Sequence, residues 1–192
     1  YWSIMEGEAL AGELRGASLT ELPSGVKARW RDWRAAHPDT LVLSVDGVEH
    51  QDTNPYDNYF QSDQGFRGAE ASDGRMPTKA PVYAFRHADG AYAVPFGAIA
   101  GGATFALGED SVFLYRREGA ALFESTEAFL AGGSFTSAEG RWLAPGGAVF
   151  DPDSGAFTGG TGPRVERLDG FDTFWFNWSM SHPGTAILGA AD

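Results

Sequence analysis

Apolar and polar positions alternate over short stretches broken by glycine, and this pattern dominates the chain. Residues 82–86 (Val-Tyr-Ala-Phe-Arg) and 91–96 (Ala-Tyr-Ala-Val-Pro-Phe) flank Ala88-Asp89-Gly90, which predicts a β-hairpin with a glycine-containing turn. The runs 112–116 and 120–124 flank Arg117-Glu118-Gly119 in the same way and predict a second hairpin. Phe135, Trp142 and Val149-Phe150 fall in further short strands between Gly-rich turns, and residues 1–22, with Gly7, Gly12 and Gly16 among leucines, read as turn-rich strands. The β-branched run 41–45, closed by Asp46-Gly47, reads as one more. Helical signals are few. Trp30 and Trp33 stand at i, i+3 spacing within 26–36, a stretch stopped at His37-Pro38 because the residue before proline is pushed out of the helical region. Ser125 or Thr126 is placed to cap a short helix through Ala131, ended by Gly132-Gly133. From 51 to 79 there is no period, which predicts a long polar loop pinned by Tyr56, Tyr59 and Phe60.

One pattern occurs twice. Trp30, Trp33, His37, Pro38, Thr40 and Leu43 match Trp175, Trp178, His182, Pro183, Thr185 and Leu188 without a gap, each pair 145 residues apart. The unit W-x-x-W-x-x-x-H-P-x-T-x-x-L predicts a Trp-bearing helical turn, a His-Pro stop and a strand, used twice. Residues 150–159 loosely mirror 1–12 as a strand, a tight turn and an apolar residue before glycine. The organisation expected is 1–48 as the end of a first pseudo-repeat, 49–80 as an aromatic and polar connecting loop, and 81–192 as a second pseudo-repeat. A repeat of this length also carries the expectation of an N-terminally incomplete piece. The fold expected is mainly β, a β-rich α+β arrangement of short antiparallel strands and hairpins in sheets or a partly open barrel, each pseudo-repeat with a short Trp-bearing helix.

Composition narrows the function classes. With 43% hydrophobic and 14% aromatic residues, 192 residues can bury a core of their own. A formal charge of −12 repels phosphate backbones, which sets aside nucleic acid and anionic membrane surfaces as partners. No stretch reaches the roughly 20 uninterrupted apolar residues of a spanning helix. The chain has no cysteine, so disulfides, thiolate metal sites and cysteine nucleophiles are absent from it.

The W-x-x-W-x-x-x-H-P-D-T-x-V-L-S block, D-x-N-P-Y-D-x-Y at 52–59, D-G-R-M-P-T-K at 73–79, A-Y-A-V-P-F at 91–96 and the terminal F-W-F-x-W-x-x-x-H-P-x-T resemble a prokaryotic family catalogued as domain of unknown function 3179. The resemblance covers nearly the whole chain and implies no activity. It does imply a Cys-Pro-Leu-Cys motif on a strand upstream of the first block, and export or lipid anchoring. The matching strand of the second unit, 112–116, has no thiol.

Candidate chemistry is sparse. Trp30, Trp33, Trp175 and Trp178 read first as packing residues and second as sugar-stacking platforms. His37 and His182 read as helix caps, with metal ligation the sharper alternative. Asp52, Asn54 and Asp57 gather oxygen donors and, with His37, form the weak metal candidates, although an Asx turn accounts for the loop residues. Tyr56, Tyr59, Phe60, Arg75 and Lys79 are the ligand-binding candidates; the two cations could instead pair with surplus carboxylates. Asp151-x-Asp153-x-Gly155 begins like a calcium loop but has Gly162 where the distal glutamate belongs, so a plain turn is expected. No nucleophile elbow, zinc-protease motif or acid–base pair stands out, and no catalytic residue is assigned. No cofactor is evident, and a metal ion is the one left open. The leading expectation is a soluble, non-catalytic binding or structural module, periplasmic, secreted or membrane-anchored, with a cytoplasmic setting as the alternative. Its partner would be a small molecule or a protein. Two other readings stay open: an enzyme or metal/redox factor whose cysteines lie in a missing N-terminal half, and a carbohydrate-binding module resting on Tyr56, Tyr59, Phe60 and Trp142.

Overall fold

The computed structural model describes residues 1–3, 7–20, 27–43, 56–162 and 165–189. Among these residues the elements run β1 (Trp2–Ser3), β2 (Glu8–Ala9), α1 (Trp30–Ala36), α2 (Asp57–Gln61), β3 (Pro81–His87), β4 (Gly90–Pro95), β5 (Ala103–Leu107), β6 (Asp110–Tyr115) and β7 (Glu127–Gly132). They continue with β8 (Thr136–Ala138), β9 (Arg141–Leu143), β10 (Val149–Asp151), β11 (Ala156–Thr158), β12 (Glu166–Arg167), β13 (Phe171–Phe174), α3 (Trp175–Ser181) and β14 (Ala186–Ile187). The strands form a β1–β2 pair and three four-stranded sheets, ordered β13-β3-β4-β14, β12-β7-β6-β5 and β11-β10-β9-β8. All pairings are antiparallel except β4 with β14. The protein is β-rich with small helices, and the described strands lie in separate sheets without closing a barrel.

Period-two alternation explains how the layers stack. In β3, Val82 and Ala84 face α3 together with Ala93, while Tyr83 and Phe85 face the next sheet. In β6, Val112 and Leu114 meet Tyr83 and Phe85, and Phe113 points the other way into a cluster with Phe129, Phe135 and Phe150. Central strands buried on both faces therefore read as near-continuous apolar runs, which is how 82–85 and 112–115 stand in the sequence. The result is α3 over one sheet, a second sheet beneath it and a third beneath that, with an aromatic core at the far end. Phe113 anchors that end, its ring centroid 5.0 Å from Phe150 and 5.1 Å from Trp142.

The 82–86/91–96 hairpin forms as β3–β4 with register Val82↔Pro95 through His87↔Gly90. The 112–116/120–124 hairpin does not form: β6 pairs instead with β5 and with β7, and 117–124 is a loop. The helix expected after Thr126 is also corrected, because 127–132 is the strand β7 between β6 and β12. Two physical causes converge. The Thr126 hydroxyl donates to Asp172 Oδ1 at 2.5 Å and its amide donates to Asp172 Oδ2 at 2.9 Å, so the hydroxyl does not cap the amides that follow. Six register pairs with β6 then hold the segment extended. Residues 41–43 have no strand assignment, and the remainder of that expected strand, with its Asp46-Gly47 turn, lies outside the described residues. The described part of the 51–79 stretch, residues 56–79, contains α2 and a 3-10 turn at Phe66–Gly68. No described helix is long and apolar enough to cross a membrane.

Candidate functional site

Both Trp motifs form a seven-residue helix, α1 and α3, and each ends on its histidine with near-identical backbone angles: φ −130°, ψ 72° at His37 and φ −125°, ψ 73° at His182. The histidine amide donates to the Trp33 carbonyl at 2.8 Å in one case and to Trp178 at 2.9 Å in the other. The rings are in contact as well: Trp178 and His182 stack at a centroid separation of 3.7 Å, and Trp33 and His37 lie tilted at 4.1 Å. His37 and His182 thus terminate their helices through the backbone. Their burial differs sharply: Trp175 and Trp178 are fully buried, whereas Trp30 and Trp33 are 51% and 38% exposed. The amides of Trp175 and Phe176 donate to the carbonyls of Ala80 and Thr78, which fixes the start of α3 without a side-chain cap.

The 73–79 segment explains the fate of two candidate cations. Arg75 pairs with Asp73, donates to the Thr185 carbonyl at 2.8 Å and lies over Trp175. Hydrogen bonds from Arg75 hold the Asp73 carboxyl below the usual carboxylate range. Lys79 Nζ donates to the carbonyls of Tyr59 and Ser62, at the end of α2, and sits 4.0 Å from the Tyr59 ring centroid. Both cations are committed to internal contacts that fasten α2 and the loop to α3. Tyr56 and Asp57 stand exposed at the start of α2, and His37 is exposed on α1. Asp52 and Asn54 lie outside the described residues. Among the described residues no three His, Asp or Glu side chains gather closely enough to hold a metal ion. Asp151 accepts from the Asp153 amide and the Ser154 hydroxyl, an Asx turn inside the β10–β11 hairpin.

Tyr59 and Phe60 enter a cleft of about 310 Å³. Phe174, whose ring centroid is 6.3 Å from that of Tyr59, lines it with them, and so do Phe96, Leu122 and Phe123. Lys27 and Asn177 supply its donors. Phe60, Leu122 and Phe123 are exposed at the rim. Burial pushes the Tyr59 phenol above its ordinary value, so it stays protonated.

A buried ionic cluster adjoins this cleft through Asp172, which lines it. Arg116, fully enclosed at the end of β6, places its guanidinium 3.7 Å from the Phe96 ring centroid. It donates to the carbonyls of Ala121 and Glu124 and to Thr126 Oγ1, and its nearest carboxylate oxygen is Asp172 Oδ1 at 3.4 Å. Burial lowers the Arg116 pKa, and the Asp172 and Glu124 charges oppose that shift. The 117–124 loop is thereby pinned with Leu122 and Phe123 facing the cleft. Lys27 is positioned by a two-way bridge: its amide donates to Ser125 Oγ at 2.8 Å and its carbonyl accepts from the Ser125 amide at 3.3 Å.

The sequence patterns did not single out Lys27, Leu122, Phe123 or the Arg116–Asp172 pair. Their proximity arises from strand pairing across long separations, and no local spacing encodes it. Trp142, a carbohydrate-stacking candidate, is remote from the cleft; its indole donates to the Gly101 carbonyl at 2.9 Å and its ring packs on Phe113.

With this geometry in place, the family comparison is decisive. The model of the family described as Protein of unknown function (DUF3179) matches residues 1–185. The chain belongs to this family. Comparison with curated proteins finds no match, and comparison with solved structures finds none either. The DUF3179 match spans the first Trp motif, the second through Thr185, the 73–79 segment and every residue of the cleft.

Proposed function

We propose that this DUF3179 chain is a non-catalytic, extracytoplasmic binding module whose cleft takes a small molecule with a flat apolar ring and an anionic group. The observation that carries this reading is the cleft itself: a lining rich in aromatic and aliphatic side chains with a lysine among them, in a volume of about 310 Å³. Ligand sites are commonly apolar concavities of roughly 300–1,000 Å³ with a few placed polar groups. The lining argues against acid–base chemistry, because its carboxylate, Asp172, is engaged by Thr126 and Arg116 and is not placed to accept a substrate proton. The extracytoplasmic setting rests on the acidity and on the export or lipid anchoring that the family resemblance implies.

A second reading, carbohydrate binding, is favoured by the exposed Phe60 and Phe123 rings, on which a sugar face could stack. Calorimetric titration with 2-naphthoate and with cellobiose separates the two. For 2-naphthoate a dissociation constant of about 1 mM or tighter is expected from ordinary ligand efficiencies. Phe60→Ala should weaken it at least about fivefold, since a well-placed aromatic contact contributes on the order of 1 kcal/mol. Binding of cellobiose alone would replace this reading with the carbohydrate one, and binding of neither would overturn both.

A further inference from the structure

Two cations touch the rings of the cleft without lining it. Lys79 Nζ lies 4.0 Å from the Tyr59 ring centroid and 5.5 Å from that of Phe174. The Arg116 guanidinium lies 3.7 Å from the Phe96 centroid. Tyr59, Phe96 and Phe174 all line the cleft, and neither cation does. Three of its five aromatic side chains therefore carry a positive charge over a ring face, supplied from outside the cleft. Both charges are fixed in place. Lys79 donates to the carbonyls of Tyr59 and Ser62, and among the described residues these neutral groups are its hydrogen-bond partners, so no carboxylate offsets it there. Arg116 is held by the carbonyls of Ala121 and Glu124 and by Thr126 Oγ1. Asp172, 3.4 Å away, offsets part of its charge, but the group is buried, where a charge is screened least.

An aromatic ring has negative potential on its faces and positive potential at its edge. A cation over one face draws electron density towards itself, so the opposite face becomes less negative and the edge hydrogens more positive. Whichever of these a ring turns to the cleft, a ligand meets a surface poorer in electrons than an ordinary phenylalanine or tyrosine offers. We infer that Lys79 and Arg116 set the specificity of the cleft through Tyr59, Phe174 and Phe96, and that they select electron-rich rings: the ligand is an aromatic carboxylate bearing hydroxyl or ether oxygens on its ring. This inference rests on the reading of the cleft as a site for a flat anionic ring and narrows it. An electron-rich ring gains most against an electron-poor surface, because the two quadrupoles then attract. Lys27, which lines the cleft, reads the carboxylate and is indifferent to the substituent. Lys79 and Arg116 are positioning residues that read the ring.

Calorimetric titration of the 192-residue protein with 6-methoxy-2-naphthoate and with 6-trifluoromethyl-2-naphthoate makes the test. Both carry the same carboxylate, and transfer of apolar surface by itself favours the trifluoromethyl compound. The methoxy compound is expected to bind at least about threefold more tightly, the scale of one partly exposed cation–ring contact. Lys79→Met should shrink that ratio at least about twofold, and Lys79→Arg, which keeps the charge, should preserve it. A lysine that only fastens α2 would, when removed, weaken both ligands alike and leave the ratio unmoved. Equal affinities or a preference for the trifluoromethyl compound, with 2-naphthoate still binding, would overturn this inference and leave the reading of the cleft standing. A ratio unchanged in folded Lys79→Met would overturn it as well. Failure of all three naphthoates to bind would overturn the reading of the cleft and this inference with it. The ratio in the unsubstituted protein is read without any variant, so it decides the matter even where Lys79→Met does not fold.

Discussion

The Lys27 ammonium donates to the backbone carbonyl of Asp172 at 3.2 Å, and the two residues, 145 positions apart, each stand three places before the first tryptophan of a Trp helix. Equivalent points of the two motifs therefore touch, and they do so at the edge of the cleft. The contact places the lysine charge beside the aromatic walls and leaves the Asp172 carboxylate to the buried cluster beneath.

Lys27→Met should consequently separate charge from packing. The side chain is exposed, so stability should change by no more than about 0.5–1 kcal/mol. Affinity for 2-naphthoate should fall several-fold, while affinity for the neutral 2-naphthalenemethanol should stay within about twofold, as expected when one exposed charge–charge contact of under about 1 kcal/mol is removed. Calorimetry on both ligands checks this.

Asp172→Ala removes the carboxylate facing an enclosed guanidinium. Breaking a buried pair from one side costs about 3–5 kcal/mol, because the remaining charge stays desolvated. Urea unfolding should show that loss, and the double variant Arg116→Met/Asp172→Ala should recover part of it. Equal stability of the single and double variants would contradict the account of Arg116.

The two Trp motifs should respond unequally to the same substitution. Trp178→Ala empties a fully buried site against Val82, Ala84 and Ala93 and should cost about 3–5 kcal/mol. Trp33→Ala loses a part-exposed ring and the bond to Thr40 and should cost about 1 kcal/mol. Thermal unfolding of the two variants side by side makes the comparison.

Acid should loosen the chain through three carboxyls held below their ordinary range. Glu124 is lowered chiefly by the Ala121 amide and also by Arg117 and Arg29, Asp73 by Arg75, and Asp151 by Ser154 and the Asp153 amide. A depressed folded-state value means stability that is present above the unfolded carboxyl values and is lost as pH falls through the depressed ones. The melting temperature should therefore show little dependence on these groups above about pH 5 and fall below about pH 4. Glu124→Gln should flatten that fall, which a series of melts at stepped pH will show.

Local pattern was sufficient where neighbours in sequence are neighbours in space. The β3–β4 hairpin, the two Trp helices with their His-Pro stops and a turn at Asp151 follow from spacing and turn chemistry alone. Pattern misled where a distant partner won. Thr126 has the side chain of a cap, but Asp172 engages it from 46 positions away, and β6 draws the next six residues into a strand. The 117–124 loop contains turn signals, yet its course is set by Arg116, a charge at the end of an apolar run whose burial no periodicity announces. The site was legible in part: Tyr59 and Phe60 belong to the cleft, Arg75 and Lys79 fasten the elements around it, and Lys27 and Phe123 meet there only through tertiary packing.

The most direct test of the central claim is an amide and side-chain NMR titration of the uniformly labelled protein with 2-naphthoate. The binding-module account requires saturable shifts concentrated at Tyr59, Phe60, Leu122, Phe123 and the Asn177 carboxamide, the groups that line the cleft. Shifts concentrated instead at the hollow lined by Trp142, Phe150 and Arg141, or no saturable shift at all, would contradict it.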